Sequence, residues 1–202
     1  PVPVPVVVVV VRVQVRVREG NATSRGALGI SMTPMNPDRW KPSVTVAAVI
    51  EDAGRFLLIE EETPEGLRLN NPAGHLEQGE SPLEAVCREA LEETARPFEP
   101  TALLGLYLSR FQRPSRQEDV TYLRMAFCGR AGEVQPGRAL DAGIVRTLWL
   151  TPEEIRASRA RHRSPLVWRC VEDHLAGRRF PLDVLQADAT VIHPQIQPGH
   201  PG

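Results

Sequence analysis

From Ser43 to Ile50 the chain reads SVTVAAVI, a near-continuous apolar run. Such a run predicts a strand buried on both faces. EDAG at 51–54 supplies a turn and RFLLIEEE at 55–62 a second strand, after which EGLRLNNPAG carries a short strand into a Pro/Gly-punctuated loop. The period then changes. Leu83, Val86, Cys87, Ala90, Leu91 and Thr94 fall on one stripe at helical spacing. Ser81 is the N-cap of this helix, Pro82 suits its first position, and Glu84 completes a capping box. ARP at 95–97 should end it, because the residue before a proline is pushed away from helical geometry. Strands are predicted at 101–111, 120–130 and 145–150, with a loop at 112–119. Thr151, Pro152 and Glu154 start a second helix in the same manner, and a last helix begins at Ser164-Pro165 and ends near Gly177. The fold class is therefore α/β or α+β, a mixed sheet with helices packed against it.

The flanks differ from this core. Residues 1–40 open with PVPVPVVVVVVRVQVRVREG and are expected to be a low-complexity, flexible extension, with Met32 or Met35 as the natural initiator. The valine run is far short of the roughly 20 residues a membrane-spanning helix needs. It also lacks the flanks of a secretory signal. Residues 41–185 form the expected functional domain, and the Pro/Gly-rich 186–202 a disordered tail. A net charge of −1 gives no global field to recruit nucleic acid or an anionic membrane, so a small-molecule partner is expected. Cys87, Cys128 and Cys170 are scattered among apolar neighbours without C-x-x-C spacing, as buried reduced thiols of a cytoplasmic protein would be.

The chemistry concentrates in REALEETA at 88–95. On an ideal helix Glu92 lies about 60° to one side of Glu89 and Glu93 about 40° to the other. This places three carboxylates on an arc expected to lie opposite the core stripe. Like charges at this spacing each cost a helix about 0.2–0.5 kcal/mol. Either the face is solvated and stitched by Glu84–Arg88 and Arg88–Glu92 pairs, or a hard divalent cation sits between the carboxylates. Taken alone, the run reads as a solvated face.

The surroundings reverse that reading. Gly74, five residues, Glu80, seven residues, Arg88-Glu89, then Glu92-Glu93 resembles the Nudix box, G-x5-E-x7-R-E-U-x-E-E-x-G-U with U apolar. Two positions depart: Ala95 stands where the pattern has its second glycine, and Arg96 where it has an apolar residue. The helix is therefore expected to exit another way, with Pro97 enforcing the stop. KPSVTVAAVI, GRFLLIEEET, NNPAGHLEQGES and RSPLVWRCVEDHLAGRRFPLDVL extend the resemblance to a bacterial subgroup. Its members are Nudix phosphatases of nucleoside di- and triphosphates and of hydroxymethylpyrimidine pyrophosphate.

The resemblance implies an αβα sandwich in which the box forms a loop–helix–loop metal site. It implies Mg²⁺ (or Mn²⁺) held by the Gly74 carbonyl with Glu89, Glu92 and Glu93. Glu80 is an outer ligand or a partner for Arg88, Arg88 orients the carboxylates, and Glu89 or Glu92 takes the proton of attacking water. Arg124 and Tyr122 share one face of their strand and are candidates to grip phosphate and stack on a base, or a surface arginine beside a packed tyrosine. Glu118, with Asp119, is a candidate extra ligand or base in a loop. His75 reads as structural, the basic RASRARHR at 156–163 as a solvated helix end, and Trp149 as core. The alternatives are a pyrophosphohydrolase cleaving inner phosphates of nucleotides or ADP-ribose, the latter kept open by Pro114, and a non-catalytic nucleotide sensor. Either a monomer or a homodimer is compatible with the sequence.

Overall fold

A computed structural model describes residues 40–113 and 117–195. The valine run, the initiator question and Pro114 lie outside the described residues. Seven strands, β1 (Ser43–Asp52), β2 (Arg55–Thr63), β3 (Gly66–Asn70), β4 (Ala73–His75), β5 (Phe98–Arg113), β6 (Glu118–Ala131) and β7 (Ile144–Leu150), accompany α1 (Pro82–Thr94), α2 (Pro152–Ala157) and α3 (Leu166–Leu175). The sheet path is β3-β2-β1-β6-β5, with β4 added to β1 and β7 to β2. β1 and β6 run parallel from Ser43↔Tyr122 to Ile50↔Gly129, and the other pairings are antiparallel, so the sheet is mixed.

The apolar run of β1 divides its side chains by parity. Val46, Ala48 and Ile50 pack with Leu57, Phe127 and the α1 residues Ala85, Val86 and Ala90. Ala47 and Val49 pack with Phe56, Leu58, Leu104 and residues of α2 and α3, including Ile155, Val167 and Val171. Helices therefore cover both faces, which is the αβα sandwich. Cys128 and Cys170 are buried with free thiols, and half-buried Cys87 donates from Sγ to the Phe98 carbonyl. Half-buried Trp149 packs on the α1-side core, and the Arg96 guanidinium lies over its ring.

Both N-terminal helix signals form as read. Ser81 Oγ accepts from the Glu84 N–H while Glu84 accepts from the Ser81 N–H, and Thr151 and Glu154 do the same for α2. The helix exit needs correction. Ala95 itself adopts the left-handed conformation (φ 54°, ψ 24°), with its N–H bonded to the Leu91 carbonyl. The chain thus leaves α1 by the route a glycine would take, despite the Cβ.

The β5–β6 hairpin is longer than the sequence pattern implied. The expected loop at 112–119 is strand on both sides, with Gln112↔Asp119 and Arg113↔Glu118 in register. The described strand ends are laced by polar cross-strand contacts: Arg110 and Gln112 donate to Asp119, and Arg113 pairs with Glu118 at 3.0 Å. Cross-strand ion pairs stabilise a sheet without leaving an apolar alternation to read. Beyond Leu185, one 3-10 turn (Ala189–Val191) is capped by the Asp188 side chain.

Candidate active site

The site is built where β4 and the loop after it meet α1. The glutamates do not lie opposite the core stripe. Measured around an ideal helix, Glu93 is only about 20° from Val86, so the arc abuts the stripe. Glu89 and Glu93 are accordingly buried, while Glu92 keeps partial contact with solvent. Glu93 Oε2 accepts from the Ala73 N–H at 2.7 Å, which ties the helix to β4. The Glu89 carboxylate lies against Gly74 so closely that a Cβ there would be 2.1 Å from its carbon. A glycine at 74 is therefore a steric requirement of this carboxylate's position.

Arg88 organises the remaining acids. It donates to Glu80 (Nη2 to Oε1 2.7 Å), Glu89 (2.8 Å), Glu92 (3.0 Å) and the His75 carbonyl (3.0 Å). The expected Glu84–Arg88 pair is replaced by the capping box, and Glu80 takes that place. Glu80 also accepts from the Glu77 N–H, which fixes the loop before the helix. The Glu80 hydrogen bond, above all, keeps Arg88 firmly protonated, and the Arg88 hydrogen bond lowers the Glu80 pKa.

The buried carboxylates are electrostatically uncomfortable. Burial raises the Glu89 pKa against the opposing pull of Arg88. Burial pushes Glu93 up to about 8; the Ala73 N–H opposes this, and repulsion from Glu89, Glu61 and Asp141 adds to it. Buried like charges favour neutral forms unless a cation joins them. Hard carboxylate oxygens are the donors that a hard divalent cation takes. Among the described residues no three His, Cys, Asp or Glu side chains stand as a ready-made cage. Arg88 engages Glu80, Glu89 and Glu92, and a cation beside Glu89 and Glu93 would compete with it for the Glu89 and Glu92 oxygens.

Next to this cluster lies a cavity of about 230 Å³ bordered by Gly74 and His75. Tyr122 and Arg124 both line it, as do Thr45, Glu61 and Asn70. Glu118 does not line it and meets it only through Arg113, its ion-pair partner. His75 lines the wall with its ring 6.2 Å from that of Tyr122, and its carbonyl serves Arg88.

Glu60, Glu61, Arg161 and Arg163 carried no reading as site residues in the sequence. Glu60 and Glu61 straddle a β-bulge in the β2–β7 ladder. Glu60 is buried and accepts from Arg146 (2.7 Å) and Arg161. Glu61 faces the cavity, with Arg163 3.9 Å away. RASRARHR is therefore not simply a solvated end: Arg161 anchors it to β2, and Arg163 lines the cavity. The signal available was the EEE run in β2, since acids in a central strand need partners.

Residues 40–169 match the NUDIX domain family. Phosphatase NudJ of Escherichia coli K12 is 33% identical over 146 residues, which cover 72% of this chain and 92% of that protein. A NUDIX hydrolase from Nitrosomonas europaea has a similar solved structure, with a TM-score of 0.67, 51% identity, and coverage of 73% of this chain and 98% of its own. The MutT protein from Methanosarcina mazei Go1 shares the fold at a TM-score of 0.52 and 23% identity, over 69% of this chain and 98% of its own. With the box residues gathered on one helix and loop and these matches spanning the domain, the chain belongs to the Nudix family of hydrolases, which act on phosphoric anhydride bonds.

Proposed function

We propose that this hydrolase is Mg²⁺-dependent, with Mn²⁺ as a substitute. In this reading it removes the terminal phosphate from nucleoside di- and triphosphates and related pyrophosphates such as hydroxymethylpyrimidine pyrophosphate. The observation that carries the cation requirement is the pair of buried carboxylates, Glu89 packed against Gly74 and Glu93 bonded to the Ala73 N–H, of which only Glu89 has an arginine partner among the described residues, Arg88. The choice of terminal phosphate is supported by the 33% identity to Phosphatase NudJ.

In this reading Gly74 (through its carbonyl), Glu89, Glu92 and Glu93 hold the cation. Bound there, it neutralises phosphate charge, polarises the P–O bond and lowers the pKa of attacking water. Arg88, clamped by Glu80, holds Glu89 and Glu92 in place. Glu92 is the more accessible acid and Glu89 the more buried, and one of them accepts the water proton. Phosphoryl transfer asks chiefly for positioning and charge stabilisation, so this set with Arg124 and Tyr122 at the substrate end suffices. Three free thiols among the described residues favour the reducing cytoplasm as the place of action.

The test incubates the protein and Mg²⁺ with nucleoside di- and triphosphates, ADP-ribose and hydroxymethylpyrimidine pyrophosphate, quantifying orthophosphate and pyrophosphate separately. Glu92→Gln and Glu93→Gln proteins serve as controls. Orthophosphate from the nucleoside di- and triphosphates and from hydroxymethylpyrimidine pyrophosphate, lost in both variants, is expected. Pyrophosphate release, or cleavage confined to ADP-ribose, would replace this reading with an inner-phosphate hydrolase. No turnover of any compound, with intact nucleotide binding, would indicate a sensor.

A further inference from the structure

After α3 the chain turns at Gly177 (φ 75°) and crosses the open edge of β5. β5 is the last strand of the sheet path and is paired along its length on the β6 side. Its other edge is met by Phe180. The Leu103 N–H donates to the Phe180 carbonyl at 2.9 Å, and the Phe180 N–H donates to the Leu103 carbonyl at 2.8 Å. Leu182 and Leu185 then pack on the α1-side core, so residues 178–185 form a strap over the edge. An uncovered edge strand is a template for another chain. TALLGLYL at 101–108, uncharged and rich in strand formers, is the kind of segment that pairs in this way.

The start of the strap is held by one side chain. Arg179 donates from Nη1 to the His174 carbonyl (3.2 Å) and the Arg178 carbonyl (2.6 Å), and its Nη2 lies 3.0 Å from His174 Nε2. A guanidinium only donates and stays protonated, so Nε2 is the acceptor and the neutral imidazole carries its hydrogen on Nδ1. The ring stands edge-on to Phe56 of β2 at 5.2 Å, and Nδ1 is buried without a hydrogen-bond partner among the described residues. Protonation therefore gains no acceptor at either nitrogen. Nδ1 already bears its hydrogen, and the new Nε2–H would face the guanidinium.

The charged and titratable groups around α3 do not offset this. Asp173 is engaged by Tyr107 of β5 and by Arg169 and Arg178. Burial keeps the thiols of Cys128 in β6 and Cys170 in α3 protonated and neutral. Burial first, then Arg179, lowers the His174 pKa from 6.5, and Glu51 of β1 opposes them more weakly.

We infer that His174 and Arg179 form a pH-sensitive latch on the strap: neutral His174 holds residues 178–185 over the β5 edge, and its protonation releases Arg179 and opens the edge at Leu103. A histidine whose folded pKa is lowered contributes stability above its unfolded value, and that contribution is lost as pH falls below 6.5. The opening is local, because the sheet beneath is held by its own ladders and by both cores. The latch lies outside the candidate active site and does not depend on the proposed substrate.

The experiment follows amide hydrogen exchange by NMR at pH 7.5 and pH 5.5, corrected for intrinsic rates, in wild type, His174→Gln and Arg179→Met. Protection of the Leu103 and Phe180 amides in wild type is expected to fall about fivefold between the two pH values, while that of Phe127 in β6 stays within about twofold. Glutamine at 174 is neutral and its side-chain oxygen still accepts from Arg179, so His174→Gln should keep the strap protected at both pH values. Arg179→Met, a change at an exposed position, should lower strap protection already at pH 7.5 and leave little further dependence on pH. Equal protection of Leu103 and Phe180 at the two pH values in wild type, or the same loss in His174→Gln, would overturn the inference. An equal loss at Phe127 would also overturn it, because the whole domain and not the strap would then be opening.

Discussion

Replacing Gly74 by alanine separates the site's geometry from its stability. The new Cβ would lie 2.1 Å from the Glu89 carboxyl carbon and 2.1 and 2.3 Å from its oxygens, whereas ordinary contact begins near 3.4 Å. The carboxylate must therefore withdraw by more than about 1 Å, the scale at which misplacement costs on the order of a hundredfold in rate. Gly74 is not among the positive-φ glycines, so alanine strains no backbone. The displaced group is the end of a flexible side chain, so the fold should lose only about 1–2 kcal/mol, at the lower end of overpacking costs. Expected, then, are a kcat/KM reduced about a hundredfold, equivalent to about 2.7 kcal/mol of transition-state stabilisation, and a cation affinity lowered about tenfold or more. Steady-state kinetics, Mn²⁺ calorimetry and urea unfolding measure the three quantities. Wild-type turnover and cation affinity in a folded Gly74→Ala protein would refute the reasoning, because the position of Glu89 would then not matter.

Two further predictions concern stability. Ala95→Gly relieves a left-handed alanine, worth about 1–2 kcal/mol, less about 0.5–1 kcal/mol for glycine's greater chain entropy. The melting temperature should rise by about 1–4 °C, and a fall would show that the Ala95 methyl, buried at the helix end, contributes more by packing. The Glu60 pKa is lowered from 4.5, first by the Arg146 hydrogen bond and further by Arg161. A depressed carboxylate contributes stability above its unfolded pKa and loses it as pH falls through the folded value. Glu60→Gln should therefore cost about 1.5–3 kcal/mol at neutral pH and flatten the acid limb of the stability profile below pH 4.5 in urea titrations. Parallel acid limbs would remove Glu60 from the explanation.

Much of this architecture was legible because single segments carry their own signals. Both capping boxes, the both-faces-buried β1 and the spacing of the box acids depend on residues within one or two turns of each other. What escaped depends on partners distant in sequence. Glu60 meets Arg146 and Arg161 across 86 and 101 positions, and no local pattern announces that pairing. Residues 112–113 and 118–119 looked like loop because the contacts that hold their strands together are polar and ionic. The exit of α1 was misjudged because an alanine adopted a conformation that propensity assigns to glycine. The cavity was half visible: alternation put Tyr122 and Arg124 on one face, but Thr45, Asn70 and Arg163 join them only through the sheet order and the turn before α3.

The most direct test of the central claim compares wild type with Glu93→Gln at pH 8, by urea unfolding with and without Mg²⁺. Burial raises the Glu93 pKa from 4.5 to about 8, so the cation-free protein should lose stability as pH rises across that window. The neutral glutamine escapes this cost. Without Mg²⁺ the variant should therefore be the more stable protein by about 2–4 kcal/mol, within the roughly 1.4 kcal/mol per pH unit that such a shift represents. With Mg²⁺ at a hundred times its dissociation constant, wild type should gain about 2.7 kcal/mol, and the variant little. Equal stabilities without Mg²⁺, or equal gains with it, would contradict the placement of a cation between Glu93, Glu89 and Gly74.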